Sequence, residues 1–130
     1  MSKVAVIVET RKNKALPFVL NNVMSILPNN WSLQIFHGNN NLDFISDIIN
    51  NDIILKNKEV FLNDLGINSI TQEDSSLEIM LKADFWNKVV GETVLYFECD
   101  SMLCPNSEYK VEDFEHFDYI GGYWGNQLDV

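Results

Sequence analysis

Glu98-Cys99-Asp100 places two carboxylates one residue apart, directly after the apolar run 93–97. If that run is a strand, both carboxylates lie where the chain turns, and both can reach one hard cation. Mg²⁺ and Mn²⁺ prefer oxygen ligands. Such an ion can bridge the phosphates of a nucleotide diphosphate and stabilise it as a leaving group, which is Lewis-acid chemistry without a proton donor. Asp100 and Glu98 are therefore the candidate metal ligands, with Ser101 beside them as a ligand contact. The alternative is a solvated loop in which Asp100 makes an Asx-turn or caps a helix.

Other groups with chemical potential also follow apolar runs. Glu9, Thr10 and Arg11 end the run that starts at Lys3. Arg11 can pair with a phosphate or stack on a base, or it is a surface residue beside Lys12 and Lys14. His37 ends a second run, either as a ligand contact or proton carrier or as a structural turn residue. Asn63-Asp64 ends a third. Tyr123-Trp124 follows Gly121-Gly122, where a backbone can approach a ligand closely, although core packing also accounts for the pair. Cys99 and Cys104 read as free thiols or small buried apolar residues. No P-loop, G-x-G-x-x-G, G-x-S-x-G or zinc-type Cys/His spacing is present, which removes the commonest NTPase, dinucleotide-oxidoreductase and serine-hydrolase readings.

The elements that must position these groups alternate. The β-branched run Lys3–Glu9 suits a strand buried on both faces. Pro17 can open a helix and Pro28 stop it, with Phe18, Val19, Val23, Ile26 and Leu27 at helical spacing between them. Trp31–His37 reads as a second strand, and the Asn39–Asn41 stretch as a loop able to supply an N-cap. Leu42, Ile45, Ile48 and Ile49 form a helical stripe. Val60–Asn63 is a short third strand, 70–81 and 83–89 are helical, and Thr93–Phe97 is a fourth strand. Val111–Phe117 is expected as a short helix and Asp118–Gly121 as a last short strand. Strand–helix alternation implies a parallel sheet with right-handed crossovers. Ligands on such sheets bind outside the carboxyl ends of the strands, where every candidate above falls.

The chain has 130 residues, 9 Lys plus Arg and 19 Asp plus Glu, for a net charge of −10. That length suits one domain over 1–130, without disulfides or metal needed for folding. No basic run offers itself to nucleic acid or to an anionic membrane. No apolar run approaches the roughly 18 residues of a transmembrane helix. With no signal-peptide pattern before the first strand and free thiols suited to a reducing compartment, a cytoplasmic protein is expected.

Several segments together resemble a known family. Val4–Arg11 looks like its opening strand. The match continues through Ala15-Leu16, Phe18-Val19-Leu20, Asn22-Val23 and Trp31–Gly38, which ends Ile-Phe-His-Gly. It resumes at Asn63–Gly66, Phe85-Trp86, Gly91-Glu92 and Tyr96–Cys104, and closes at Phe117–Gly121 with Trp124. This is similar to a domain-of-unknown-function family that is glycosyltransferase-like, with an expected GT-A fold. The resemblance implies a Rossmann-like three-layer α/β/α sandwich with a mostly parallel sheet, the donor-binding half of a GT-A-type fold. It implies a divalent metal, Mn²⁺ or Mg²⁺, on the diphosphate of a nucleotide-sugar donor, with transfer to an unknown acceptor. Asp100 matches the family's acid, whereas Glu98 stands where members usually have Gln. Glu9 to Arg11 would face the nucleotide. Asp74–Leu77 replaces a usual Tyr-Asn pair, and the chain stops at Val130 without the glycine-rich segment and acceptor half of other members. The alternative expectation is a non-catalytic binding or assembly module, with an uncovered edge or apolar face closed by homodimerisation.

Overall fold

The computed structural model describes residues 2–67 and 76–121. β1 (Lys3–Glu9), β2 (Trp31–His37), β3 (Val60–Asp64) and β4 (Thr93–Tyr96) form one parallel sheet in the order β3-β2-β1-β4. The register aligns Glu9 with His37 and His37 with Asp64, so these three residues end neighbouring strands at one level. Val6 aligns with Tyr96. The Phe97 N–H donates to the Val6 carbonyl, which carries β4 one residue beyond the ladder.

β1 is buried over its last six residues, as the unbroken β-branched run requires. Its alternate side chains face two different layers. Ala5 and Ile7 pack with Leu16, Val19, Leu20 and Val23 of α1 (Leu16–Ile26) and Ile45 of α2 (Leu42–Asn51). Val4, Val6 and Val8 pack with Phe85 of α4 (Ala83–Asn87) and with Ile79 and Met80 of α3 (Ser76–Met80). A parallel sheet thus carries helices on both faces, and the fold is a Rossmann-like α/β sandwich. Pro17 lies in the first turn of α1, where no backbone donor is needed. Leu27, the residue before Pro28, is extended and ends the helix.

The helix expected from residue 70 appears from Ser76, and its earlier part lies outside the described residues. The helix expected over 111–117 is a single 3₁₀ turn, Val111–Phe114. Only Val111 packs against the core there, and without a buried stripe nothing propagates the helix. Asp118–Gly121 is not a strand. These residues join no ladder, and Tyr119 is 87% exposed. Short aromatic runs become strands through pairing and packing, and this one has neither.

Candidate ligand-binding site at the sheet switch point

α1 and α2 connect β1 to β2 to β3 on one face, and α3 and α4 return the chain across the other face to β4. The strand order therefore reverses between β1 and β4. In open α/β sheets the crevice outside the carboxyl ends at such a reversal receives ligands. Here the place for such a crevice lies between residues 9–15 after β1 and 97–103 after β4.

The β1 side is held by buried polar groups. The Glu9 carboxylate, 8% exposed, accepts the Arg11 N–H at 3.0 Å and the Asn13 amide at 3.4 Å. Glu9 thus shapes the loop from beneath and does not face a ligand. Thr10 is buried as well, while Arg11, Lys12 and Lys14 are exposed. Asn41 occupies the N-cap position of α2 but makes no capping bond to that helix. Its amide donates to the Glu9 carbonyl at 2.8 Å and the Arg11 carbonyl at 3.1 Å, and its Oδ1 accepts the Gly38 N–H at 2.9 Å. One buried side chain therefore ties the loop after β1 to the loop after β2.

His37, 3% exposed, has its Nδ1 2.8 Å from the Gly38 carbonyl. A carbonyl only accepts, so Nδ1 carries the proton and Nε2 is the acceptor in the neutral ring. One ring nitrogen of His37 is thus engaged within its own turn.

The β4 side is a tight turn. The Ser101 N–H and hydroxyl both donate to the Glu98 carbonyl, at 3.1 and 2.7 Å, and the hydroxyl accepts the Glu98 N–H at 3.2 Å. Ser101 is thus committed to its own turn. Glu98 and Asp100 are exposed. α1 clamps the exit of the turn: Asn22 donates to the Leu103 carbonyl at 2.9 Å and accepts the Leu103 N–H at 2.7 Å. As for the implied metal, Glu98 and Asp100 offer a two-carboxylate, all-oxygen donor set. That set fits Mg²⁺ or Mn²⁺, which keep phosphate and water oxygens in the remaining positions. No group of three or more His, Cys, Asp or Glu able to hold a metal occurs among the described residues.

Cys99 joins the two sides. Its half-buried thiol hydrogen-bonds Glu9, and its pKa is pushed far up, first by burial, then by that bond and by the charges of Glu9 and Asp100. Arg11 opposes the shift, so Arg11 and Asp100 both act on one thiol in this crevice.

Charge is distributed unevenly. Three of the nine cations fall within positions 11–14. Among the described residues the one salt bridge is Lys3–Glu115 at 2.8 Å, so Arg11, Lys12 and Lys14 are not neutralised by a described carboxylate. The same loop runs into the N-terminus of α1, which has no side-chain cap and no acidic residue in its first turn. The loop after β1 is thus locally cationic in an acidic protein, and it faces the acidic turn after β4.

The structure thus brings together Glu9, Thr10, Arg11, Glu98, Asp100 and Ser101, and His37 ends the neighbouring strand level with Glu9, its ring turned to the Gly38 carbonyl. The sequence did not reveal Asn41 and Asn22 as the side chains that fix the two loops. Their partners lie about 30 and 81 positions away, and only their Asn type, suited to bonding backbone on both sides, hinted at the role. An open cleft of about 560 Å³ lies at the opposite pole of the sheet, between Trp31, Asn29 and Asn57. It contains none of the candidate residues.

No helix among the described residues is long and apolar enough to cross a membrane. Neither a curated protein nor a solved structure matches the chain. A family model described as "Protein of unknown function (DUF5672)" matches residues 59–129, which include β3, β4 and the Glu98–Ser101 turn. That match spans more than half of the 130 residues, and the chain belongs to the DUF5672 family.

Proposed function

We propose that the crevice between β1 and β4 binds a nucleotide-diphosphate sugar with a divalent metal, Mn²⁺ or Mg²⁺, and that the domain transfers the sugar to an acceptor. The observation that carries this reading is the meeting of two unlike charged loops at the reversal of strand order. Arg11, Lys12 and Lys14 stand on one side and Asp100 with Glu98 on the other. A chain of net charge −10 repels a free diphosphate, so cations must collect where one binds.

Each residue then has a defined task. Asp100 and Glu98 hold the metal, which neutralises the diphosphate when bound. Arg11 and the lysines after it contact phosphate oxygens. Glu9 and Asn41 keep the cationic loop in place, and Ser101 holds the acidic turn closed.

A thermal-shift panel of UDP- and GDP-sugars, with and without Mn²⁺, tests the reading. Ligand at a hundredfold its Kd stabilises the folded state by about 2.7 kcal/mol, which raises Tm by roughly 10 °C for a domain of this size. The rise is expected only with metal present and is lost in Asp100→Asn. No shift with any nucleotide sugar at millimolar concentration would refute the reading. Binding without turnover would reduce it to a donor-binding module.

A further inference from the structure

The segment after the acidic turn runs back along the α1 face of the sheet. Its inner side is anchored: Asn22 holds Leu103, Val111 packs against the core, and Glu115 pairs with Lys3. Its outer side is open, and large apolar side chains lie exposed there among polar ones. Met102 is 65% exposed, Tyr109 63%, Phe117 51%, Tyr119 87% and Ile120 54%. Tyr109 lies 6.5 Å from Phe114, and Phe117 lies 4.2 Å from the His116 ring, so the aromatic groups form local pairs. Exposed apolar side chains rimmed by polar residues mark surfaces that bind something.

The charge around these side chains selects the occupant. Between 108 and 118 stand Glu108, Glu112, Asp113 and Asp118, against Lys110 alone, while Glu115 is taken up by Lys3. A two-fold contact between copies sets a patch against itself, so those carboxylates would face their own kind in a chain already at −10. A nucleic acid or anionic lipid surface is repelled for the same reason. We propose that the strip 102–120 docks a segment of a partner protein, an amphipathic helix with an apolar face rimmed by Lys and Arg. Aromatic side chains supply the contact area, and the carboxylates supply steering and register. This surface adjoins the β1–β4 site at Met102 but uses none of Arg11, Glu98 and Asp100, and the inference does not depend on the nucleotide reading.

The test uses a short Leu/Lys peptide with leucines at helical spacing, and a scrambled peptide of the same composition that has no apolar face. Calorimetry should show the amphipathic peptide binding roughly tenfold tighter than the scrambled one, with affinity falling as salt rises. The double variant Phe117→Ser/Tyr119→Ser should lower its affinity by a further factor of about ten. Both side chains are exposed, so the variant should keep its Tm, and Arg11→Ala should bind the peptide as the parent does. Three results would each overturn the proposal. These are equal affinity for the two peptides, unchanged affinity in the double variant, and concentration-dependent dimerisation that the double variant abolishes.

Discussion

Asn41→Ala should destabilise the protein by about 3 kcal/mol. The side chain is 1% exposed and makes three hydrogen bonds, to the Glu9 and Arg11 carbonyls and from the Gly38 N–H. A net hydrogen bond contributes about 1 kcal/mol, and a buried group left without a partner costs about 1–3 kcal/mol. Alanine removes all three bonds and strands the Gly38 N–H in a buried site. With a urea m-value near 2 kcal/mol/M, the midpoint should fall by roughly 1.5 M. Asn41→Asp sharpens the test. It retains an acceptor for Gly38 but turns a carboxylate oxygen toward two carbonyls, so it should cost at least as much as alanine despite its nearly identical shape. Urea unfolding followed by circular dichroism measures both. A loss below about 1 kcal/mol for alanine, or a smaller loss for aspartate than for alanine, would refute the idea that this one amide holds the two loops together.

Other expectations concern single contacts. In Gly91→Ala the new Cβ would lie 2.6 Å from Val4 Cγ1 and 3.1 Å from Val4 N, in a packed strand, so a loss of about 1–3 kcal/mol is expected in the same unfolding assay. Asn22→Ala should cost about 2 kcal/mol, because Leu103 loses two bonds at once. The thiols should react in two phases with a thiol reagent at pH 8. Cys104 is exposed and should react first. Burial and the Glu9 and Asp100 charges raise the Cys99 pKa, so its thiolate is scarce at that pH and its reaction is slow. Glu9→Gln removes one of those charges and should quicken the slow phase. A single fast phase for both thiols would contradict the placement of Cys99 against Glu9.

The sheet was legible in the sequence because its inner strands are buried on both faces. Lys3–Glu9 and Trp31–His37 read as apolar runs for that reason, and Pro17 and Pro28 punctuate α1. The position of the candidate site followed from the same alternation, since a parallel sheet presents its strand ends together. Side-chain roles within the site were not legible. Glu9, His37 and Ser101 sit at or just after strand ends as expected, yet each bonds neighbouring backbone, and Glu9 also bonds the side chains of Asn13 and Cys99. Gln34 interrupts an apolar strand at 0% exposure because it bonds Asn63, the Lys88 carbonyl and the Val90 N–H. Contacts over such separations leave no periodic trace. The C-terminal readings failed where burial ends: the 111–117 pattern holds hydrophobic residues, but Phe114 and Phe117 point outward and support no helix.

The central claim is that the reversal between β1 and β4 holds a nucleotide diphosphate through a metal on Asp100. Isothermal titration of UDP- and GDP-sugars into the parent protein and into Asp100→Asn, each with and without Mn²⁺, tests it most directly. Saturable binding that requires Mn²⁺ in the parent and disappears in Asp100→Asn, with the variant's unfolding midpoint unchanged, is the predicted result. Binding that is indifferent to the metal or survives in Asp100→Asn would contradict the claim, as would no binding at all.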